Sequence, residues 1–467
     1  MELRQQIPGN FLGNKEWKTF LQDIQTNIVR PHYKSETRYI FLRFAHQNDI
    51  FKIKTWISVF SKANISNAYD LLLDSVFSRE AEKKVQIACI LFISEAGLKF
   101  LALKSIGETA NENYQAPEKD PFAEFKKDME DWCNSDNMPH LMIQISSNNE
   151  NIELLNNFFD AHIKNTLEKD KIAFDVHMEH GSLIKTDFGD ACSKLSEPFG
   201  YRDCISQPEF FSNKRNALNS NEWAPDADLD LVFFENKGLK EGKSYVFSTA
   251  AYLKIEQNIA VFNNNIAKIK SKLEDDDLCE QEKVELAEAY LIGRFKDGTP
   301  VMKSNKKMGD HSSINDFKYP EDMYKPGNKC PFIAHIHKAN PRIDRNIRIV
   351  RRGTPYTINS GSTIEKGLHF LSYQKDIESR FKPIFKDWMP REIRPGGGKN
   401  DGNDTLFWNP PINGPGMIPK KWGKSDPDNI DDFFSLKEIG YQKPTSIKGM
   451  IFFLVPSISF LKDLPKL

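Results

Sequence analysis

The chain reads as an α+β protein, and three observations predict that class. Short apolar or alternating runs of strand length recur between segments of helical spacing. Over residues 1–195 their order is strand, helix, strand, strand, helix, strand, the split βαβ pattern of a ferredoxin-like lobe. No repeat at solenoid periods is present, and 467 residues leave room for a second lobe over 196–467.

The elements of the first lobe follow in order. Residues 1–20 are expected to be an arm with little structure of its own. Ile24–Phe44 ends in an apolar strand at Tyr39–Phe44. Asp49–Phe77 has helical spacing, with Ile53, Trp56, Ile57 and Phe60 on one core-facing stripe. Val85–Ile93 is an apolar strand, and Ser94 caps a helix from Glu95 to about Leu103. Asn111–Pro121 is a polar loop and Phe122–Trp132 a short amphipathic helix. His140–Ile145 is the third strand, Glu150–Thr166 a long helix, and the alternating Phe174–His180 the fourth strand.

The second lobe begins with the turn-rich Gly200–Pro208 and the polar Glu209–Asp228. Tyr245–Phe262 starts as a strand and becomes a helix. Lys268–Asp277 is a charged helix end, and Glu282–Pro300 a helix running into Gly293, Arg294 and a turn. Val301–Gly327 is polar loop. Gly367–Tyr373 is a strand, Asp376–Trp388 a helix, and Pro390–Asp432 a long loop rich in Gly, Pro, Asn and Asp. Ile451–Leu454 is the last strand.

Composition excludes several functions. Charged residues make up 28% and the formal net charge is −1, so no basic surplus recommends nucleic acid as a partner. No apolar run reaches membrane-span length, and the most apolar one, Gly449–Pro456, reads as a buried strand. The N-terminal stretch has no apolar signal core and no twin arginine, so a cytoplasmic location away from membranes is expected. The cysteines are Cys89, Cys133, Cys192, Cys204, Cys279 and Cys330. They form no C-x-x-C pair, which argues against zinc or a redox disulfide, and no C-x-x-C-H for covalent haem attachment.

Chemistry concentrates in Cys330–Tyr356, where two histidines, a run of arginines and three prolines share a short span. Imidazole is the commonest neutral side-chain ligand for haem iron, and guanidinium offers a fixed fork of donors to an oxyanion. Ala334–Arg342 (AHIHKANPR) and Arg348–Tyr356 (RIVRRGTPY) resemble the haem-binding stretch of the dye-decolourising peroxidases. Phe199–Pro208 (FGYRDCISQP) resembles that family's distal Gly-x-x-Asp-Gly motif. Gly367–Trp388 resembles the segment following its distal arginine, and PSISFL after Ile451–Leu454 its C-terminal strand end. The three motifs occur in the family's order, and weaker likeness runs from about Ile24 to Leu461.

The resemblance implies two ferredoxin-like lobes, each an antiparallel sheet with helices, and one non-covalent haem b in the C-terminal lobe. It implies a haem peroxidase whose partners are hydrogen peroxide and an organic electron donor; an oligomer is compatible with it. His335 matches the proximal iron ligand. His337 falls where the family tends to have arginine and is assigned to a propionate or to solvent. Asp203 matches the distal acid–base residue and Arg351 the distal arginine. Arg342, Arg348 and Arg352 are candidates for propionate contacts, and Leu368 and Phe370 for the distal cavity wall. Asp404 or Asp401 is the expected carboxylate acceptor behind His335, since a ligating imidazole usually donates its other N–H. Trp388, Trp408, Trp422 and Tyr373 are candidate electron relays, or simply packing.

One departure bears on activity. The family motif ends Asp-Gly, and here Asp203 precedes Cys204. Glycine there allows a positive φ or a close backbone approach that a Cβ opposes. Cys204 is therefore expected to modulate the distal site by shifting its loop. It motivates an alternative reading, a haem-binding or iron-handling protein of weak peroxidase activity. A haem-free ferredoxin-like binding module is the second alternative.

Overall fold

The computed structural model describes residues 2–77, 85–103, 128–134, 136–148, 152–188, 194–212, 225–309, 314–319, 327–340, 342, 347–389, 402–408 and 417–467. Four N-terminal strands, β1 (Glu36–Phe44), β2 (Ile87–Ser94), β3 (Leu141–Ser147) and β4 (Phe174–Ser182), pair in the order β2-β3-β1-β4. Four C-terminal strands are β5 (Lys243–Gln257), β6 (Thr354–Ser360), β7 (Thr363–Gln374) and β8 (Thr445–Pro456). They pair in the order β8-β5-β7-β6. In both halves the first and third strands are central and every pairing is antiparallel, with helices in the two crossovers: the ferredoxin-like arrangement, twice.

The two sheets are not separate. β8 pairs with β2 through Phe453↔Ser94 and Leu454↔Ile93, so ten described strands form one sheet. Gln25 reinforces this short seam. Its amide donates to Leu91 O at 2.9 Å and Pro456 O at 2.8 Å, and accepts from Leu91 N at 2.8 Å. A fully buried side chain amide thereby satisfies main-chain groups on both halves.

Strand alternation sends neighbouring residues of β5 into different parts of a core that forms three clusters. On β5, Ala251, Leu253 and Ile255 face the helices Ile259–Lys270 and Glu280–Ile292. Ala250 and Tyr252 face the other way, against Tyr39, Phe41 and Phe92 of the N-terminal half. His369 of β7 lies on this inter-lobe side. Tyr252 OH donates to its Nδ1 at 2.9 Å, and its Nε2 donates to His180 O at 3.1 Å.

Several expectations are refined. Residues 1–20 are not an unstructured arm: Lys15–Asp23 is a helix capped by Asn14, with Trp17, Phe20 and Leu21 buried. Ile7–Pro8 pairs with Phe211–Ser212. The C-terminal strand extends over Thr445–Pro456, and β7 begins at Thr363 because β6 forms a hairpin with it. The stripe Ile53, Trp56, Ile57 and Phe60 is buried on the helix Ile50–Asn64, and Ser94 Oγ accepts from Gly97 N at 3.0 Å as a cap. The loop Asn111–Pro121 and most of the helix Phe122–Trp132 lie outside the described residues. No helix among the described residues is long and apolar enough to cross a membrane.

Candidate active site

The haem-stretch helix His335–Ala339 packs against the helix Glu280–Ile292 and the turns of Pro383–Trp388. Gly293 makes that approach possible. It ends the longer helix at φ 95°, and a Cβ there would come within 2.5 Å of Ile336 Cγ1.

His335 Nδ1 lies 2.8 Å from Asp404 Oδ2. Asp404 is fully buried. Its Oδ1 accepts from Leu406 N at 2.9 Å and Phe407 N at 3.1 Å, and its own N donates to Met389 O at 2.8 Å. The carboxylate is thereby fixed, and it fixes the imidazole with the proton on Nδ1. Nε2 keeps its lone pair and makes no hydrogen bond among the described residues, while the side chain retains 25% of its surface. Of the two aspartates named behind His335, Asp404 meets it; Asp401 lies outside the described residues.

Asp203 sits on the opposite segment. Arg202 N donates to Lys296 O at 2.9 Å, laying this segment over the turn that follows Gly293, and Asp203 N donates to Leu195 O at 2.8 Å. Asp203 Oδ1 accepts from Cys204 N at 2.6 Å, which orients the carboxylate; Oδ2 makes no hydrogen bond among the described residues. Cys204 has φ 65° and Ser206 φ 59°. Left-handed backbone at a non-glycine residue costs about 1–2 kcal/mol each. The chain keeps the backbone that a glycine would take and carries the strain, instead of shifting the loop away.

Arg351 and Arg352 are adjacent, and the pleat separates them. Arg351 pairs with Ser372, two residues on from Phe370 and four from Leu368, on the face of β7 that meets the helices. Its Nη2 donates to Ile205 O at 2.7 Å, and its N donates to Gln207 Oε1 at 3.1 Å. The side chain is exposed, although other protein groups crowd its guanidinium. Burial lowers its pKa, while Asp203 and Cys204 beside it act in the opposite sense. Leu368 and Phe370 are half-buried on this same face.

Arg352 points to the inter-lobe side. Nε donates to Asn27 O at 2.9 Å, Nη2 to Ile28 O at 3.0 Å and Nη1 to Arg351 O at 2.9 Å. Those donors brace the turn before β1. Burial pushes its pKa down to about 10.

The partners of three further candidates are main-chain groups and rings of neighbouring loops. His337 does not reach solvent: it is fully buried, donates from Nδ1 to Pro331 O at 3.1 Å, and stacks on Tyr319 at 3.5 Å. Arg342 donates to Asn315 O at 2.6 Å and Phe317 O at 2.8 Å, with its guanidinium 3.7 Å over the Phe317 ring. Arg348 donates to Asp226 O at 2.9 Å and Pro225 O at 3.4 Å. Short main-chain acceptors hold both arginines to neighbouring loops. Among the candidate relays, Trp388 and Tyr373 are buried, and Trp422 Nε1 donates to Val301 O at 2.7 Å.

Glu130, His177 and Glu179 also gather ligand-type atoms within 4.8 Å of one another. Lys254 Nζ donates to both carboxylates at 2.8 Å and already supplies the cation there.

The structure thus offers two candidate groups: the His335 imidazole oriented by Asp404, and the Asp203 carboxylate beside the Arg351 guanidinium. Residues 266–393 match the family model described as Dyp-type peroxidase, C-terminal. Over that stretch the chain is similar to the dye-decolourising peroxidases. It is 28% identical over 295 residues to the multifunctional dye peroxidase DyP2 of an Amycolatopsis species, and 29% over 301 residues to the dye-decolorizing peroxidase msp1 of Mycetinis scorodonius. These alignments cover 57% of this chain and span 61% and 56% of the two relatives. The fold resembles the solved dye-decolourising peroxidase of an Anabaena species, with 25% identity, TM-score 0.76 and coverage of 99% and 98% of the two chains. It also resembles the solved Amycolatopsis DyP2, with 21% identity, TM-score 0.77 and coverage of 99% and 100%. Dye-decolourising peroxidases are haem-dependent, and the donor set here fits haem: a neutral imidazole nitrogen held by a buried carboxylate is the right ligand for its iron.

Three contributors are not singled out by the sequence: Gln25 and Asn27, which lie in the stretch ahead of the strand Tyr39–Phe44, and Arg294, which reads only as part of a turn. The signal available was the turn motif itself, which says where the backbone bends but not what the side chain reaches.

Proposed function

We propose that this chain is a peroxidase that binds one non-covalent haem b and uses hydrogen peroxide to oxidise organic donors by one-electron steps. The observation that carries the reading is the 2.8 Å contact between His335 Nδ1 and Asp404, which leaves Nε2 as a ligand atom. Phenols and dyes are the donors it favours. The names of the relatives support dyes, and a dye-decolorizing peroxidase of the same fold (TM-score 0.69) was solved with 2,6-dimethoxyphenol.

Bound haem would supply the redox centre that accepts oxidising equivalents from peroxide and passes them on singly. The chain's own groups supply the rest. His335 would hold the metal, and Asp404, accepting from Nδ1, keeps the ring in one orientation. Asp203 Oδ2 takes the proton from one peroxide oxygen and delivers it to the leaving oxygen. Arg351, whose Nη2 is engaged by Ile205 O, turns its remaining N–H groups toward the negative charge that develops as the O–O bond breaks. Leu368 and Phe370 exclude water from that side.

The alternative of haem carriage with feeble turnover is favoured by one observation: Asp203 Oδ1 is already bonded to Cys204 N, so only one oxygen is available for shuttling. A stopped-flow experiment on haem-loaded protein decides between them. Rapid change of the ferric spectrum with stoichiometric peroxide is expected. A spectrum that stays unchanged, or changes only at large peroxide excess, overturns the peroxidase reading.

A further inference from the structure

Arg294 leaves the helix Glu280–Ile292 immediately after Gly293 and turns inward, 7% exposed. Nη1 donates to Gly298 O at 2.7 Å and to Ile314 O at 2.8 Å. Nη2 donates to Asn315 Oδ1 at 2.9 Å and to Ser206 Oγ at 3.3 Å. Ser206 Oγ in turn donates to Asn315 Oδ1 at 2.6 Å. One guanidinium therefore ties three segments together: the turn after its own helix, the loop at Ile314 and Asn315, and the loop that carries Asp203. The first and last also touch directly. Gly298 lies so close to Ile205 that a Cβ on it would fall 2.6 Å from Ile205 Cδ1.

The tied loop is the strained one. Cys204 and Ser206 both hold left-handed backbone, at φ 65° and 59°. A loop of non-glycine residues relaxes from such a conformation unless its surroundings hold it. Arg351 holds it at Ile205 O and Gln207, and Arg294 with Asn315 holds it at Ser206. Among the described residues, no carboxylate is a hydrogen-bond partner of Arg294. Burial, and then Arg342, Arg351 and Arg202 nearby, push its pKa down to about 9. A charge kept buried at that disadvantage supplies something a neutral side chain of its length does not: four planar donated bonds reaching separate segments.

We propose that Arg294 is a positioning residue for the peroxide step, holding the Asp203–Gln207 loop so that the Asp203 carboxylate stays within proton-transfer reach. The inference rests on the role given to Asp203 above. It assigns Arg294 no contact with peroxide, haem or donor. Loss of the clamp lets Ser206 and Cys204 relax to ordinary backbone, and the carboxylate moves with them.

The test uses haem-loaded Arg294→Ala, Arg294→Lys and Ser206→Ala proteins and two independent readouts. The first is alkylation of Cys204 by N-ethylmaleimide, followed by peptide mass spectrometry, which needs no turnover. The second is the bimolecular rate of the peroxide step, with KM for an organic donor as control. In Arg294→Ala, alkylation of Cys204 should speed up and the peroxide rate should fall, each by about tenfold or more, because proton transfer tolerates little displacement. Donor KM and the unreactive state of buried Cys89 should not change. Arg294→Lys should recover part of both effects. Ser206→Ala removes only the loop-side hydroxyl and should act in the same direction to a smaller extent; it decides the matter if Arg294→Ala does not fold. Unchanged Cys204 alkylation in Ser206→Ala and in any folded Arg294 variant overturns the clamp. Faster alkylation with an unchanged peroxide rate overturns the positioning role. If the unaltered protein itself does not react with peroxide, the functional reading fails, and the alkylation result still decides whether Arg294 holds the loop.

Discussion

On the His335 side of the site, position comes from relaxed parts. A short helix seats against a glycine that is itself a helix cap, and a buried carboxylate with three main-chain bonds of its residue in place orients the imidazole. On the Asp203 side, position comes from strained parts held by distant ones. Two left-handed non-glycine residues flank Ile205, and arginines from two other segments keep the loop down. The difference is one of tolerance. The proximal side can lose a partner and keep its backbone, whereas the distal side stores strain that any lost partner releases. A metal ligand needs a fixed ring; a proton shuttle needs a carboxylate at one distance, and that distance depends on the whole loop.

The largest effect is expected at the proximal ring. His335→Ala should abolish stable haem binding, seen as loss of the Soret band after reconstitution, while His337→Ala, packed on Tyr319, should keep the band. The reverse pattern would transfer the ligand role to His337. On the distal side, Asp203→Asn should keep haem and slow the peroxide step by about a hundredfold to ten-thousandfold, the range for loss of an acid–base group. A rate near that of the unaltered protein would show that the strained loop serves no proton transfer.

Acid separates both sides from the scaffold beneath them. Burial pushes His369 down to about 4, from an ordinary 6.5, against the opposing pull of Glu179 and of its bond to His180 O. The folded state thus resists the proton that the unfolded chain accepts. The stability this gives is full above pH 6.5, is lost progressively as pH falls toward 4, and amounts to roughly 3 kcal/mol. His32, held at about 3, and His140, at about 4, act with the same sign. Urea midpoints measured across that range should fall, and less steeply in His369→Gln; a flat profile would contradict the neutral assignment.

Asp404→Asn tests how forgiving the proximal side is. Weakening the partner of a metal-bound imidazole typically costs about 10- to 100-fold in affinity or activity, so haem should still bind, with a faster off-rate in transfer to apomyoglobin. Total loss of haem would make the two sides equally brittle. The smallest effect is expected from Cys204→Gly. Relief of left-handed strain should stabilise the fold by about 1 kcal/mol, a rise in urea midpoint, with the peroxide step changed less than about twofold. A large gain in rate would mean that the Cys204 side chain, and not its backbone, limits the distal site.

Much of this molecule was legible in its residues. Strand and helix order followed from period-2 and helical spacing, and Ile53, Trp56, Ile57 and Phe60 announced a core face. Motif matches name His335, Asp203 and Arg351 as candidates, and the chemistry of a ligating imidazole names Asp404 or Asp401 as its acceptor, of which Asp404 meets His335. The helix Lys15–Asp23 was also readable, through Asn14 as a cap and Trp17, Phe20 and Leu21 at i, i+3 and i+4, but its mean polarity masked it. The hairpin strand Thr354–Ser360 carried no such pattern, because its outer half is exposed on both faces.

What remained was decided only in three dimensions. Arg351 and Arg352 are the same residue type side by side, and nothing in their chemistry says which faces the site. Pairing with β7 decides it, because the pleat sends neighbours to opposite faces. The left-handed backbone of Cys204 and Ser206 runs against their local preference, and is set by bonds reaching them from Arg294, Asn315 and Arg351. Local sequence determines which conformations are cheap and which chemical groups are on hand. Contacts between residues far apart in the chain determine which costly conformation is kept, since only they can offset strain that the local residues oppose.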